Sequence, residues 1–85
     1  MTSLALMYDH GDGVEQDYEK AFEYYTLAAE QGEGKAFNNL GDMYENGHGM
    51  EQDYEKAAEY YRKAAEMGIV EAEEALKRVT DPVSQ

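Results

Sequence analysis

The chain of 85 residues is predicted to fold as an all-α solenoid, and three observations predict it. The heptad EQDYEKA occurs at Glu15 to Ala21 and again at Glu51 to Ala57, so the chain repeats with a 36-residue period. Sliding it by that interval places Met7–Gly32 on Met43–Gly68 with 18 of 26 positions identical. Within each copy apolar residues recur at three-and-four spacing, with no sustained period-two alternation, which is the signature of amphipathic helices and not of strands.

Each copy is punctuated as a helical hairpin. Its first helix is clearest in Ala36, Phe37, Leu40, Gly41, Met43 and Tyr44, which form one apolar face. Gly41 costs helix propensity relative to alanine, so its expected use is close approach of a neighbouring helix. The run Gly47-His48-Gly49 breaks the pattern, and Asp53 (Asp17 in the first copy) is placed to cap the next helix with its carboxylate. That second helix carries Ala57, Tyr60, Tyr61, Ala64 and Ala65, matching Ala21, Tyr24, Tyr25, Ala28 and Ala29. Gly32 and Gly68 follow as the left-handed residues that end such helices.

Counting back 36 from Ala36 gives position zero, so the first helix of the first copy lacks its opening turn and is expected to begin near Leu4. At the other end Lys77 and Arg78 stand where a further hairpin would dock, and Pro82 follows. The expected organisation is one domain over 1–85: a partial repeat at 4–32, a full repeat at 33–68, a capping helix at 69–80 and a short tail at 81–85. Leu4, Leu6, Met7 and Tyr8 leave the amino-terminal edge apolar, which makes self-association there, or a place within a longer array, the alternative to a partner-binding role.

Composition excludes several function classes. Nineteen acids against seven bases give a net charge of -12, the wrong sign for a phosphate backbone or an anionic lipid surface. No apolar run approaches the roughly 20 residues of a membrane span, and the opening residues lack the form of a signal peptide, which suits either a cytoplasmic protein or a mature exported piece. With no cysteine and two histidines that fall out of register with each other (His10 aligns with Asn46, His48 with Asp12), neither metal nor cofactor is expected. Ser3 and Ser84 are the only serines and sit at opposite ends, so no catalytic residue is proposed. The tyrosine pairs sit at core spacing, which favours packing over an aromatic binding box.

The residues Ala36, Leu40, Gly41, Tyr44, Gly47, Gly49, Asp53, Lys56, Ala57, Tyr60, Tyr61, Ala64, Ala65 and Gly68 follow a pattern that resembles the Sel-one-like repeat (SLR), a relative of the tetratricopeptide repeat. The resemblance covers roughly residues 4–79. It implies a right-handed α/α superhelix acting as a non-enzymatic adaptor for protein complexes, with the first helix of each hairpin on the concave side. The cysteine pair of some exported relatives is absent here. On that helix Asn38, Asn39, Asp42 and Glu45 fall off the apolar stripe, so they are the expected contacts for a protein or peptide partner, one of basic or polar character given the acidic surface.

Overall fold

The computed structural model describes residues 2–80, which form five helices and, among the described residues, no strand. The helices are α1 (Thr2–His10), α2 (Tyr18–Glu30), α3 (Gly34–Asn46), α4 (Tyr54–Glu66) and α5 (Val70–Thr80). Successive helices pack on one another as antiparallel neighbours, α1 on α2, α3 on α4, with α2–α3 and α4–α5 joining the hairpins. The described chain measures 37 × 25 × 16 Å. Its smallest dimension is about what two helix layers roughly 8–10 Å apart produce. The expected tail, with Pro82, lies outside the described residues.

The duplicated heptad is a loop clamp followed by a helix cap. Asp17 and Asp53 sit in extended backbone, and each accepts the N–H of the residue three further on, Lys20 and Lys56, at 3.1 Å. Gln16 and Gln52 do what periodicity alone could not show. Their side-chain amides donate back to the carbonyls of Asp9 (2.7 Å) and Glu45 (2.6 Å), fastening each loop to the helix it has just left. The backbone N–H of Asp17 and Asp53 adds a second tie, to the carbonyls of Tyr8 and Tyr44 at 2.9 Å. Gly32 and Gly68, at φ near +86° and +88°, end α2 and α4 in the left-handed region that an L side chain resists.

The apolar residues of α3 divide into two faces. Ala36, Leu40 and Met43 are buried in a cluster with Ala5 of α1 and Ala21, Tyr25, Ala28 and Ala29 of α2. Tyr44 packs against the cluster of Ala57, Ala58, Tyr61, Ala64, Ala72, Ala75 and Val79 formed by α4 and α5, and Phe37 packs against both clusters. Complete burial of Leu40 and of Met43 stabilises the joint by roughly 1.5–3 kcal/mol each. The tyrosine pairs split likewise. Tyr25 and Tyr61 are wholly buried, while Tyr24 and Tyr60 are half-buried and stack on Tyr8 (5.7 Å) and Tyr44 (5.6 Å).

The first helix is the short one, 9 residues against 13 in α3. It begins at Thr2, two residues before the expected Leu4, and the Thr2 hydroxyl donates to Glu33 at 2.7 Å, which ties this start to the beginning of the second hairpin. Of the two histidines, His10 closes α1 and His48 stacks on Tyr18 at 5.1 Å. The close-approach reading of Gly41 holds, since a Cβ there would lie 2.7 Å from two carbons of the Tyr61 ring.

Gly41→Leu is therefore expected to destabilise the chain by about 1–3 kcal/mol through overpacking, measured as a lower urea midpoint at unchanged slope. Gly41→Ala should cost less, because Ala5 occupies the same register position against Tyr25 in the first hairpin and both are fully buried there. A midpoint that rises with Gly41→Leu would show that the ring does not press on α3.

Candidate interaction surface

On one side α5 touches α3, and α1 reaches the two ends of α3 through Thr2 on Glu33 and Asp9 near His48. Asn38, Asp42 and Glu45 follow one another at i, i+4 and i+7, a spacing that puts them on one helix face. All four expected contacts, Asn39 included, are half-buried and not fully exposed. The Oδ1 of Asn38 is buried with no hydrogen-bond partner.

Asp42 and Glu45 are held within the molecule. The Tyr61 ring passes from α4 under Gly41, and its hydroxyl meets Asp42 Oδ1 at 2.5 Å and Glu45 Oε1 at 2.7 Å. From α5, Arg78 donates to both oxygens of Glu45, Nε to Oε2 at 2.7 Å and Nη2 to Oε1 at 2.6 Å. Such a bidentate pair has fixed geometry as well as charge. Arg78 thus turns back onto α3, and Lys77 stays exposed on the outer side of the last helix.

One phenol proton faces two carboxylates, and the titration of the group reflects it. Burial pushes Asp42 above its ordinary value of 3.8, with the Tyr61 hydrogen bond working against that and the Glu45 charge adding to it. The hydrogen bonds from Arg78 hold Glu45 below its ordinary 4.5, against the opposing effect of burial. Burial, then the carboxylates beside them, push the Tyr61 and Tyr25 hydroxyls far above 10, so both phenols remain neutral donors.

The first joint carries the same plan with different charges. Tyr25 donates to Asp9 at 3.1 Å, as Tyr61 does to Glu45 36 residues later. The register position of Arg78, however, is occupied by Asp42, so an acid approaches Asp9 where the second joint has a guanidinium. His48 Nδ1 lies 4.0 Å from Asp9 Oδ1 and His10 Nε2 lies 3.9 Å from Asp9 Oδ2. Sequence reading missed Asp9, Tyr25, Tyr61 and Arg78 as members of this surface. A signal was available: an acid one residue past each first-helix tyrosine, in register with a buried tyrosine on the second helix.

Among the described residues no group of three or more His, Cys, Asp or Glu is arranged to hold a metal ion. None of the described helices is long and apolar enough to cross a membrane. The chain matches the family model described as Sel1 repeat twice, over residues 1–33 and 35–69. Among solved structures it is similar to a Sel1 repeat protein from Oxalobacter formigenes, with a TM-score of 0.85 and 43% identity over 88% of this chain and 31% of that one. It is also similar to a protective antigen present in uropathogenic Escherichia coli strains that displays an SLR fold, with a TM-score of 0.83 and 38% identity over 87% of this chain and 16% of that one. The chain therefore spans less than a third of the length of either. No curated protein sequence matches it.

Asp42→Asn should raise the urea midpoint at pH 7, because it keeps an acceptor for Tyr61 and removes a partly desolvated charge beside Glu45 and Asp9. A raised folded pKa stabilises the fold on the acid side, and that contribution is lost as pH rises through the folded value. The advantage of the variant should accordingly shrink as pH falls from 7 toward the Asp42 pKa. Glu45 has the opposite sign: its contribution is present above pH 4.5 and is lost as pH falls through its lowered value. Arg78→Ala should cost about 0.5–1 kcal/mol at low salt, since the guanidinium is half in water, and much less in Glu45→Gln. Equal losses in both backgrounds would mean that Arg78 acts by packing alone.

Proposed function

The chain belongs to the Sel1 repeat family, and from that premise we propose that it is a non-enzymatic protein-interaction scaffold which holds a basic or polar partner segment along α1, α3 and α5. Sel1 repeats generally serve as protein-interaction modules. The observation that carries the finer reading is the gathering of Asp9, Asp42 and Glu45 on this side with one guanidinium among them. These carboxylates are aimed by Tyr25, Tyr61 and Arg78 before any partner arrives, so little side-chain entropy is lost on binding. Asn38 and Asn39 lie beside them on α3, and the amide groups of such side chains can pair with a partner's peptide backbone.

In this reading Asp42 and Glu45 contribute field and shape, while direct contact falls mainly to Asn38 and Asn39. The excess of acid steers a cationic segment toward the face and repels an anionic one. A cytoplasmic site of action goes with the proposal, and fractionation of cells expressing the chain tests it.

A lysine- and arginine-rich peptide titrated into the isotope-labelled chain should shift amide signals of residues 38–45 in a saturable way, whereas a glutamate-rich peptide of equal length should not. Raising salt from 50 to 500 mM should weaken the basic peptide several-fold. Asn38→Ala with Asn39→Ala should weaken it further without loss of helical dichroism. Shifts confined to α2 and α4, or affinity indifferent to salt, would move the site off this face.

A further inference from the structure

We propose that the groove between α2 and the loop from α3 to α4 is a second binding site, apart from the polar face of α3, and that its occupant is an arginine side chain of a partner protein with a large aliphatic residue beside it. The groove lies where the first hairpin meets the second. Tyr44, which lines it, is two positions from Asp42 on α3, and a helix of 3.6 residues per turn sends two such side chains to nearly opposite sides.

A cavity of about 590 Å³ opens there over Tyr18, Phe22, Tyr44 and Met50. Phe22 meets the Tyr44 ring edge-on, at 80° and 6.1 Å, so the two rings stand as perpendicular walls of one corner. A second cavity of about 480 Å³ adjoins the first, sharing Phe22 and Glu23 with it and running past Thr26 to Leu27, which is 42% exposed.

The charge of the lining selects the guest. Asp17, Glu19 and Glu23 stand against one base, Lys20, whose ammonium is drawn away to a position 5.2 Å over the Tyr8 ring. The Asp17 carboxylate is occupied in capping α2. Glu19 and Glu23, one turn apart on α2 and both exposed, pair with no base among the described residues. The rings on this side already draw cations: Lys56 Nζ lies 5.9 Å from the Tyr44 centroid, and Lys63 Nζ lies 5.6 and 5.8 Å from those of Phe37 and Tyr60. Lys56 is exposed and sits at the roughly 6 Å limit of such contacts. It is a weak internal competitor that a better-placed cation displaces.

A guanidinium suits this corner better than an ammonium. It is planar, so it lies along a ring while its fork donates to carboxylates that are neighbours at i and i+4. Its apolar stem rests on Met50. The step from Phe22 to Leu27 along α2 is about 7.5 Å at 1.5 Å per residue, a distance that two long side chains at i and i+4 of a helical segment span. The second cavity therefore takes the aliphatic neighbour. Glu19 and Glu23 repel an acidic segment from the same groove.

The test uses the full chain and a capped, alanine-based helical peptide with one arginine and, four positions on, one leucine. Its control carries citrulline, which keeps the shape of arginine without the charge. The arginine peptide should give saturable shifts in the methyl signals of Met50 and Leu27 and the ring signals of Phe22, and the citrulline peptide should bind at least five-fold more weakly. Glu19→Gln with Glu23→Gln should weaken the arginine peptide by a similar factor and Lys56→Gln should strengthen it, with helical dichroism unchanged because all three positions are exposed. Asn38→Ala with Asn39→Ala should leave this binding unaltered, which separates the groove from the polar face of α3. Equal binding of the two peptides, indifference to Glu19→Gln with Glu23→Gln, or no saturable shift at millimolar peptide would overturn the proposal. So would concentration-dependent dimerisation in sedimentation that Arg62→Gln abolishes, since it assigns the groove to a second copy.

Discussion

Tyr61 is the pin on which the second hairpin turns. Its ring is fully buried between α3 and α4, close enough to α3 that a Cβ on Gly41 would collide with it, and its hydroxyl emerges on the far side between two carboxylates. A tyrosine can do this because it is apolar along its length and polar only at the tip. The ring sets how near the helices lie and the hydroxyl sets where Asp42 and Glu45 point. Arg78 then finds Glu45 already in place, which couples α5 to the hairpin before it. Phenylalanine would fill the same volume and leave the two acids without a shared donor.

Repetition gives the chain its own controls. Tyr25 plays the part of Tyr61 one period earlier, with Ala5 for Gly41 and Asp9 for Glu45, and the plan survives with a longer hydrogen bond of 3.1 Å. What does not repeat is charge. The second joint is closed by a guanidinium on a carboxylate, the first brings Asp42 toward Asp9 and draws two histidines to within about 4 Å of the latter. Like charges brought together in a half-buried place cost free energy that the apolar contacts of Leu40 and Met43 must offset, and burial moves Asp42 toward its neutral form. The same arrangement concentrates negative potential on the side proposed to meet a basic segment.

The outer sides of α1 and α5 differ in character. On α5 the positions that would receive another helix are glutamate, lysine and threonine, all in water. On α1 the corresponding outer positions are leucine and methionine.

The 36-residue period, the helices, their caps and the composition of the core were legible in the sequence, because each rests on short-range rules. Spacing fixes which face of a helix is apolar, and Asp17, Asp53, Gly32 and Gly68 carry their backbone preference with them. The family pattern was legible for the same reason. Tertiary structure alone decided which buried tyrosine hydroxyl reaches which acid, that Asp42 and Glu45 are engaged within the chain, and that Arg78 closes a joint across 33 residues. It also decided the two further residues at the start of α1, through Thr2 and Glu33, which are 31 residues apart. A polar side chain off the apolar stripe looks solvated when its own helix is considered alone. Whether it meets water or a hydroxyl from the next helix depends on interhelical distances of a few ångströms, and those are set by ring volume and by the missing Cβ of Gly41.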